Sequence, residues 1–137
     1  MIRARLYLDK AQWTINAYIA VDAYYTEEIV SHMDRLGASG RQMDSARKHL
    51  MSGNLNGGLT YTNLNGRETI WVVEITSSAR ELFNTVVHEI RHLQQHIGNA
   101  LHLNENSEDV CYLSGDIAYA LYPYIKDLLC EHCRNHK

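Results

Sequence analysis

The stretch from Ser78 to Gly98 constrains this chain more than any other. It holds no proline, and its one glycine comes at the end. Ser78 with Glu81 three residues on is a capping-box pattern, and Gly98 is a stop signal. Phe83, Val86, Val87, Ile90, Leu93 and Ile97 recur at helical spacing and form an apolar stripe. Thr85, His88, His92 and His96 form the neighbouring stripe. The pattern predicts one long helix through Ile97 that buries one side and turns its histidines toward a cleft.

The flanking segments supply what such a helix packs against. Ile2 to Leu8 and Trp13 to Val21 alternate apolar and polar residues and read as half-buried strands. From Thr26 to Leu36 the period becomes helical and Gly37 is the stop. Ser39 with Gln42 opens a second short helix carrying Met43, Ala46 and Leu50, closed by Gly53. Leu59–Leu64 and Glu68–Ile75 flank Asn65-Gly66, a hairpin signal because both turn positions favour positive φ. After a polar loop over Asn99–Asn106, Ser107 begins a helix with Val110, Leu113, Ile117 and Leu121 on its apolar face. Pro123 is expected to kink or break it, with a last short helix reaching about Cys133. The order, two strands, two helices, a hairpin and three helices, predicts an α+β fold. At 137 residues the chain is sized for a single domain, 1–137.

In His88-Glu89-Ile90-Arg91-His92 the two histidines are one helical turn apart, so both imidazoles can converge on one ion. Zinc suits such nitrogen ligands. Glu89 lies beside the pair, where its carboxylate can act as a general base on water rather than as a ligand.

A catalytic zinc takes three protein ligands and keeps one open position. His96 follows His88 by eight residues. That is a rise of about 12 Å, too far for a shared ion. A third histidine six residues after His92 is absent, since position 98 is glycine. An acid from the next segment remains. Glu105 falls in the polar loop. Glu108 opens a helix with an apolar face, so its carboxylate is the better placed of the two. Asp109 reads as a charge favoured by the helix N-terminus.

His88-Glu-x-x-His92 followed by Glu108-Asp-Val-Cys-Tyr112-Leu-Ser-Gly115 resembles the small gluzincins, minimal thermolysin-like metallopeptidase domains often carried by phages and mobile elements. The resemblance covers roughly Thr69 to Leu121. It implies a zincin-like fold, with a small antiparallel or mixed sheet, an active-site helix and a following ligand-bearing helix. It implies Zn2+ held by His88, His92 and Glu108, with Glu89 as general base. It also implies that the strand Thr69–Ile75 lies along the cleft and pairs with an extended peptide or protein substrate. One departure stands out. Thermolysin-like enzymes carry an aspartate four residues after the third ligand to orient a zinc histidine, and this chain has Tyr112 there. Tyr112 either donates a hydrogen bond to the transition-state oxyanion or is a core aromatic at helical spacing.

The remaining features bound the function. A net charge of −3 argues against a nucleic-acid partner. No apolar run of membrane-spanning length occurs, and none follows the basic residues Arg3 and Arg5, so neither a membrane span nor a signal peptide is expected. Three cysteines do not suit a disulfide framework, and a cytoplasmic setting is the default. Cys130-Glu131-His132-Cys133, with His136 beyond, has metal-like spacing but no partner pair. Two functions compete: a zinc peptidase, favoured by Glu89, and a catalytically inactive zinc-binding structural or interaction protein, favoured by the missing aspartate.

Overall fold

The computed structural model describes residues 1–135. It has four strands, β1 (Ile2–Leu8), β2 (Trp13–Val21), β3 (Gly58–Asn63) and β4 (Glu68–Glu74). Its five α-helices are α1 (Thr26–Arg35), α2 (Gly40–Met51), α3 (Ala79–Ala100), α4 (Glu108–Ile125) and α5 (Glu131–Asn135). The strands form one mixed sheet in the order β1-β2-β4-β3. β2 runs parallel to β4, and the other two pairings are antiparallel. The class is α+β, as the element order predicts.

Helices cover both faces of this sheet, so β2 is buried on both sides rather than half-buried. Trp13, Ile15, Ala17 and Ile19 join Trp71 and Val73 under α3 and α4. Tyr18, Ile70 and Val72 face α1 and α2. Alternation would place Val21 with Ile19. Instead the register shifts between them, Ala20 takes φ 62°, and Val21 joins the α1–α2 side. Trp13 and Trp71 are fully buried, and each indole N–H has a partner: Thr69 Oγ1 at 2.9 Å and the Glu89 carbonyl at 3.0 Å.

Local chemistry explains most element ends. Ser39 and Gln42 make both bonds of their capping box. Gly37, at φ 87°, closes α1 in a Schellman turn, with Ala38 N–H donating to the Met33 carbonyl at 3.0 Å. Four expectations need correction. The hairpin turn places neither Asn65 nor Gly66 at positive φ; Arg67 takes φ 50°, and Gly66 N–H donates to Asn63 Oδ1 at 3.0 Å. The turn is therefore a longer loop with one left-handed residue at its end. Helix α3 does not stop at Gly98, which is buried within it. It ends in a Schellman turn with His102 at φ 57° and Leu103 N–H donating to the Gly98 carbonyl at 2.8 Å. Pro123 does not break α4, which runs on to Ile125; a 3-10 helix over Lys126–Leu129 follows. Pro123 has no N–H to donate to the Tyr119 carbonyl, so α4 forgoes one backbone hydrogen bond near its C-terminal end. Finally, Phe83 and Val87 are exposed, and Leu82 takes their place in the buried stripe of α3 with Val86, Ile90, Leu93 and Ile97.

The N-terminus of α3 is held by two groups. Ser78 Oγ accepts from Glu81 N–H at 3.1 Å, the half of its capping box that forms. Glu131, far along the sequence on α5, accepts from Ala79 N–H at 2.6 Å, a carboxylate at the positive end of the helix dipole. Arg134 of the same short helix donates to the Thr76 carbonyl at 2.8 Å. The chain end thus fixes the start of the histidine-bearing helix. No described helix is long and apolar enough to cross a membrane.

Candidate metal centre

A cleft of about 470 Å³ brings together His49 of α2, residues 57–60 at the start of β3, and one face of α3. Thr85, His88, His92 and His96 all line it, so the predicted polar stripe of α3 does face a cleft. Strand β3 has a neighbour on one side only and leaves an edge free along the cleft. The strand expected to lie there, Thr69–Ile75, does not. As β4 it sits between β2 and β3, so both its edges are already paired and none is left for a substrate. The edge role passes to β3.

His88 and His92 turn their rings together, with Nε2 atoms 3.2 Å apart. Two imidazole nitrogens on one tetrahedral zinc, each about 2.0–2.1 Å from it, stand about 3.3 Å apart. The observed separation therefore fits such an ion. Both histidines are exposed, while Glu89 between them is buried at 5% exposure. Its Oε2 lies 3.8 Å from His88 Nε2, and Thr60 Oγ1 donates to its Oε1 at 3.5 Å. Burial pushes the Glu89 carboxyl above its ordinary value, against the pull of His92, His88, the Thr60 hydroxyl and His49. His88, Glu89 and His92 each offer one ligand atom within 4.8 Å of the others.

Glu89 owes its place to Gly58. A β-carbon at Gly58 would meet the Glu89 Cδ and Cγ at 2.6 Å. Only a glycine lets the edge strand approach the carboxylate this closely.

The other expected site residues sit elsewhere. Glu108 is the first residue of α4, exposed, and outside the group formed by His88, Glu89 and His92. Tyr112 is 65% exposed and lines a separate groove with Tyr7, Leu103, Leu113 and Tyr119, so it is neither a core aromatic nor a wall of the histidine cleft. Glu105 pairs with Arg91 at 3.1 Å. His96 lies on the cleft but is held by another partner: its Nδ1 is 2.7 Å from Thr62 Oγ1. That hydroxyl is 2.9 Å from Thr69 Oγ1, which accepts from Trp13. Burial lowers the His96 pKa.

None of the three cysteines is in a disulfide. Cys130 caps the 3-10 helix over Lys126–Leu129 and immediately precedes α5, and hydrogen bonds from the Cys133 backbone and thiol pull its pKa down. His136 lies outside the described residues. Among those described, His88, Glu89 and His92 form the one group of three suited to a metal ion.

Sequence periodicity missed the second polar pair in this region. His49 Nε2 lies 2.7 Å from Glu74 Oε1. Nothing in the spacing of α2 marks His49. The adjacent Gly57-Gly58 was the one available signal of a close backbone approach. Compared with protein-family models, with curated proteins and with solved structures, the chain matches none.

Proposed function

We propose that this chain is a zinc-dependent metallopeptidase with a zincin-like arrangement. One observation carries the reading: two imidazole Nε2 atoms 3.2 Å apart on an exposed helix face, backed by the buried carboxylate of Glu89. A structural metal site has no use for an acid held beside its first ligand in this way. The mixed sheet, with a free antiparallel edge strand next to the histidine helix, also supports it.

In this reading His88 and His92 hold the ion and Glu108, from the start of α4, supplies the third ligand. Zinc held there would act as a Lewis acid, polarising the scissile carbonyl and bringing water ionisation near neutrality. Glu89 takes the proton of the attacking water at its carboxylate and delivers it to the leaving amine. Burial suits it to that exchange, because a carboxyl with a raised pKa holds and releases a proton nearer neutral pH. The free edge of β3 pairs with an extended peptide and lays it across the histidines.

A second reading is a catalytically inactive zinc-binding structural or interaction protein with the same fold. It is favoured by the position of Glu108 outside the histidine group and of Tyr112 in another groove. Peptide cleavage separates the two. A library of unstructured peptides incubated with zinc-loaded wild type and Glu89→Gln is read by mass spectrometry. The peptidase reading expects products from wild type only. Identical behaviour of the two proteins leaves the inactive scaffold.

A further inference from the structure

We propose that Cys130 and Cys133 form a reversible dithiol–disulfide pair, which exchanges with small-molecule disulfides at the surface of the protein. The proposal does not depend on the peptidase reading.

The two cysteines face each other across about one helical turn. Cys130 is extended, at φ −113° and ψ 122°, and α5 begins with the next residue. Its carbonyl accepts from the Arg134 N–H at 3.0 Å, the first backbone bond of that helix. Cys130 is therefore the N-cap residue, and Cys133 is the third residue of the helix. That spacing puts their α-carbons about 5 Å apart. A disulfide spans about 4.4–6.8 Å between α-carbons, so the bond can close without moving the backbone. The side chains already meet: the Cys130 sulfur accepts from the Cys133 N–H and thiol.

The turn that carries the pair is tied to the rest of the fold. Glu131 accepts from Ala79 N–H at 2.6 Å, and Arg134 donates to the Thr76 carbonyl at 2.8 Å. Neither contact uses a sulfur, so both can persist in either redox state. They hold the turn in place and keep one thiol at high effective concentration beside the other.

Exposure assigns the order of attack. Cys130 is exposed and Cys133 is partly buried. The hydrogen bonds from Cys133 favour the Cys130 thiolate, and the nearby Glu131 charge opposes them only in part. Cys130 loses its proton and attacks one sulfur of the incoming disulfide. That S–S bond breaks, a mixed disulfide forms on Cys130, and the departing thiolate takes up a proton. Cys133, deprotonated in turn, attacks the Cys130 sulfur and expels the second thiol. Two protein thiols are oxidised to one disulfide, and one small disulfide is reduced to two thiols.

Cys111 is the internal reference. It is exposed on α4, which carries no other cysteine. In dilute protein it can go no further than a mixed disulfide.

The test equilibrates dilute full-length wild type, without oxygen, in glutathione buffers of rising disulfide fraction and quenches by alkylation. Intact mass and peptide mapping read each cysteine. The expected product has lost the mass of two hydrogens within residues 130–133, and dithiothreitol restores it. It should form at a disulfide fraction about tenfold or more below that at which Cys111 is glutathionylated, because its closure is intramolecular. In Cys133→Ser, Cys130 should stop at the mixed disulfide with glutathione. The wild-type titration decides the matter without any variant. Cys130 and Cys133 both alkylated where Cys111 is glutathionylated, each carrying its own glutathione, or either joined to Cys111, overturns the proposal.

Discussion

Gly58 and Glu89 touch across the gap between β3 and α3, so closely that a β-carbon on Gly58 would fall 2.6 Å from the Glu89 Cδ and 2.7 Å from the Val72 carbonyl oxygen. One of those neighbours is backbone and cannot move aside cheaply. Gly58→Ala is therefore expected to destabilise the protein by about 1–3 kcal/mol, the usual cost of overpacking. Peptide cleavage should fall with it, because the displaced group is the proposed general base. Gly40→Ala is the control: nothing lies within 4 Å of its added carbon, and thermal melts should show it neutral or slightly stabilised. Equal melting of the two variants contradicts the contact.

Thr62 links the cleft to the core. Its hydroxyl stands 2.7 Å from His96 Nδ1 and 2.9 Å from Thr69 Oγ1, which in turn receives the Trp13 indole N–H. Thr62→Val removes two hydrogen bonds at nearly constant volume. The expected loss is about 1–3 kcal/mol, because buried partners are left unpaired. Zinc content should not change, since His96 lies outside the His88–His92 group. Urea melts with parallel metal analysis check both halves, and loss of zinc in this variant shows that His96 takes part in the site after all.

Burial raises the carboxyl pKa of Glu89 above the ordinary 4.5. Between those two values the folded chain keeps a proton that the unfolded chain has released. Folded-state stability from this group therefore falls as pH rises through that window. In metal-stripped protein Glu89→Gln removes the effect. The variant's stability relative to wild type should grow as pH rises from 4.5 and level off above the raised value. Urea melts across this range in chelator test it; a stability difference that is flat with pH contradicts a desolvated carboxylate at Glu89.

Much of this was legible in the sequence because it is local. The capping residues Ser39 and Ser78, the stop at Gly37 and the facing histidines all follow from spacing within one element. What escaped depends on pairing between distant elements. Sheet order put β4 in the interior and gave the free edge to β3, which no periodicity within either strand announces. The bulge at Ala20 moved Val21 to the other face. Gly98 was a stop by type but is buried inside α3, and the helix runs on until His102 turns left-handed. Glu131 capping α3 and Glu74 meeting His49 are contacts across 52 and 25 positions respectively, invisible to any motif. The position of Tyr112 depends on how α4 rotates about its axis, and the apolar stripe of Val110, Leu113 and Ile117 turned Tyr112 out into a separate groove.

The central claim is that His88 and His92 hold a zinc ion while Glu89 does not. Metal analysis of protein purified without added chelator or metal tests it most directly. The account predicts about one zinc per chain in wild type and in Glu89→Gln, and almost none in His88→Ala or His92→Ala. Glu108→Ala, which removes the proposed third ligand, should lose most of its zinc as well. Zinc retained when either histidine is removed, or a wild type that binds none even when zinc is supplied, contradicts the account.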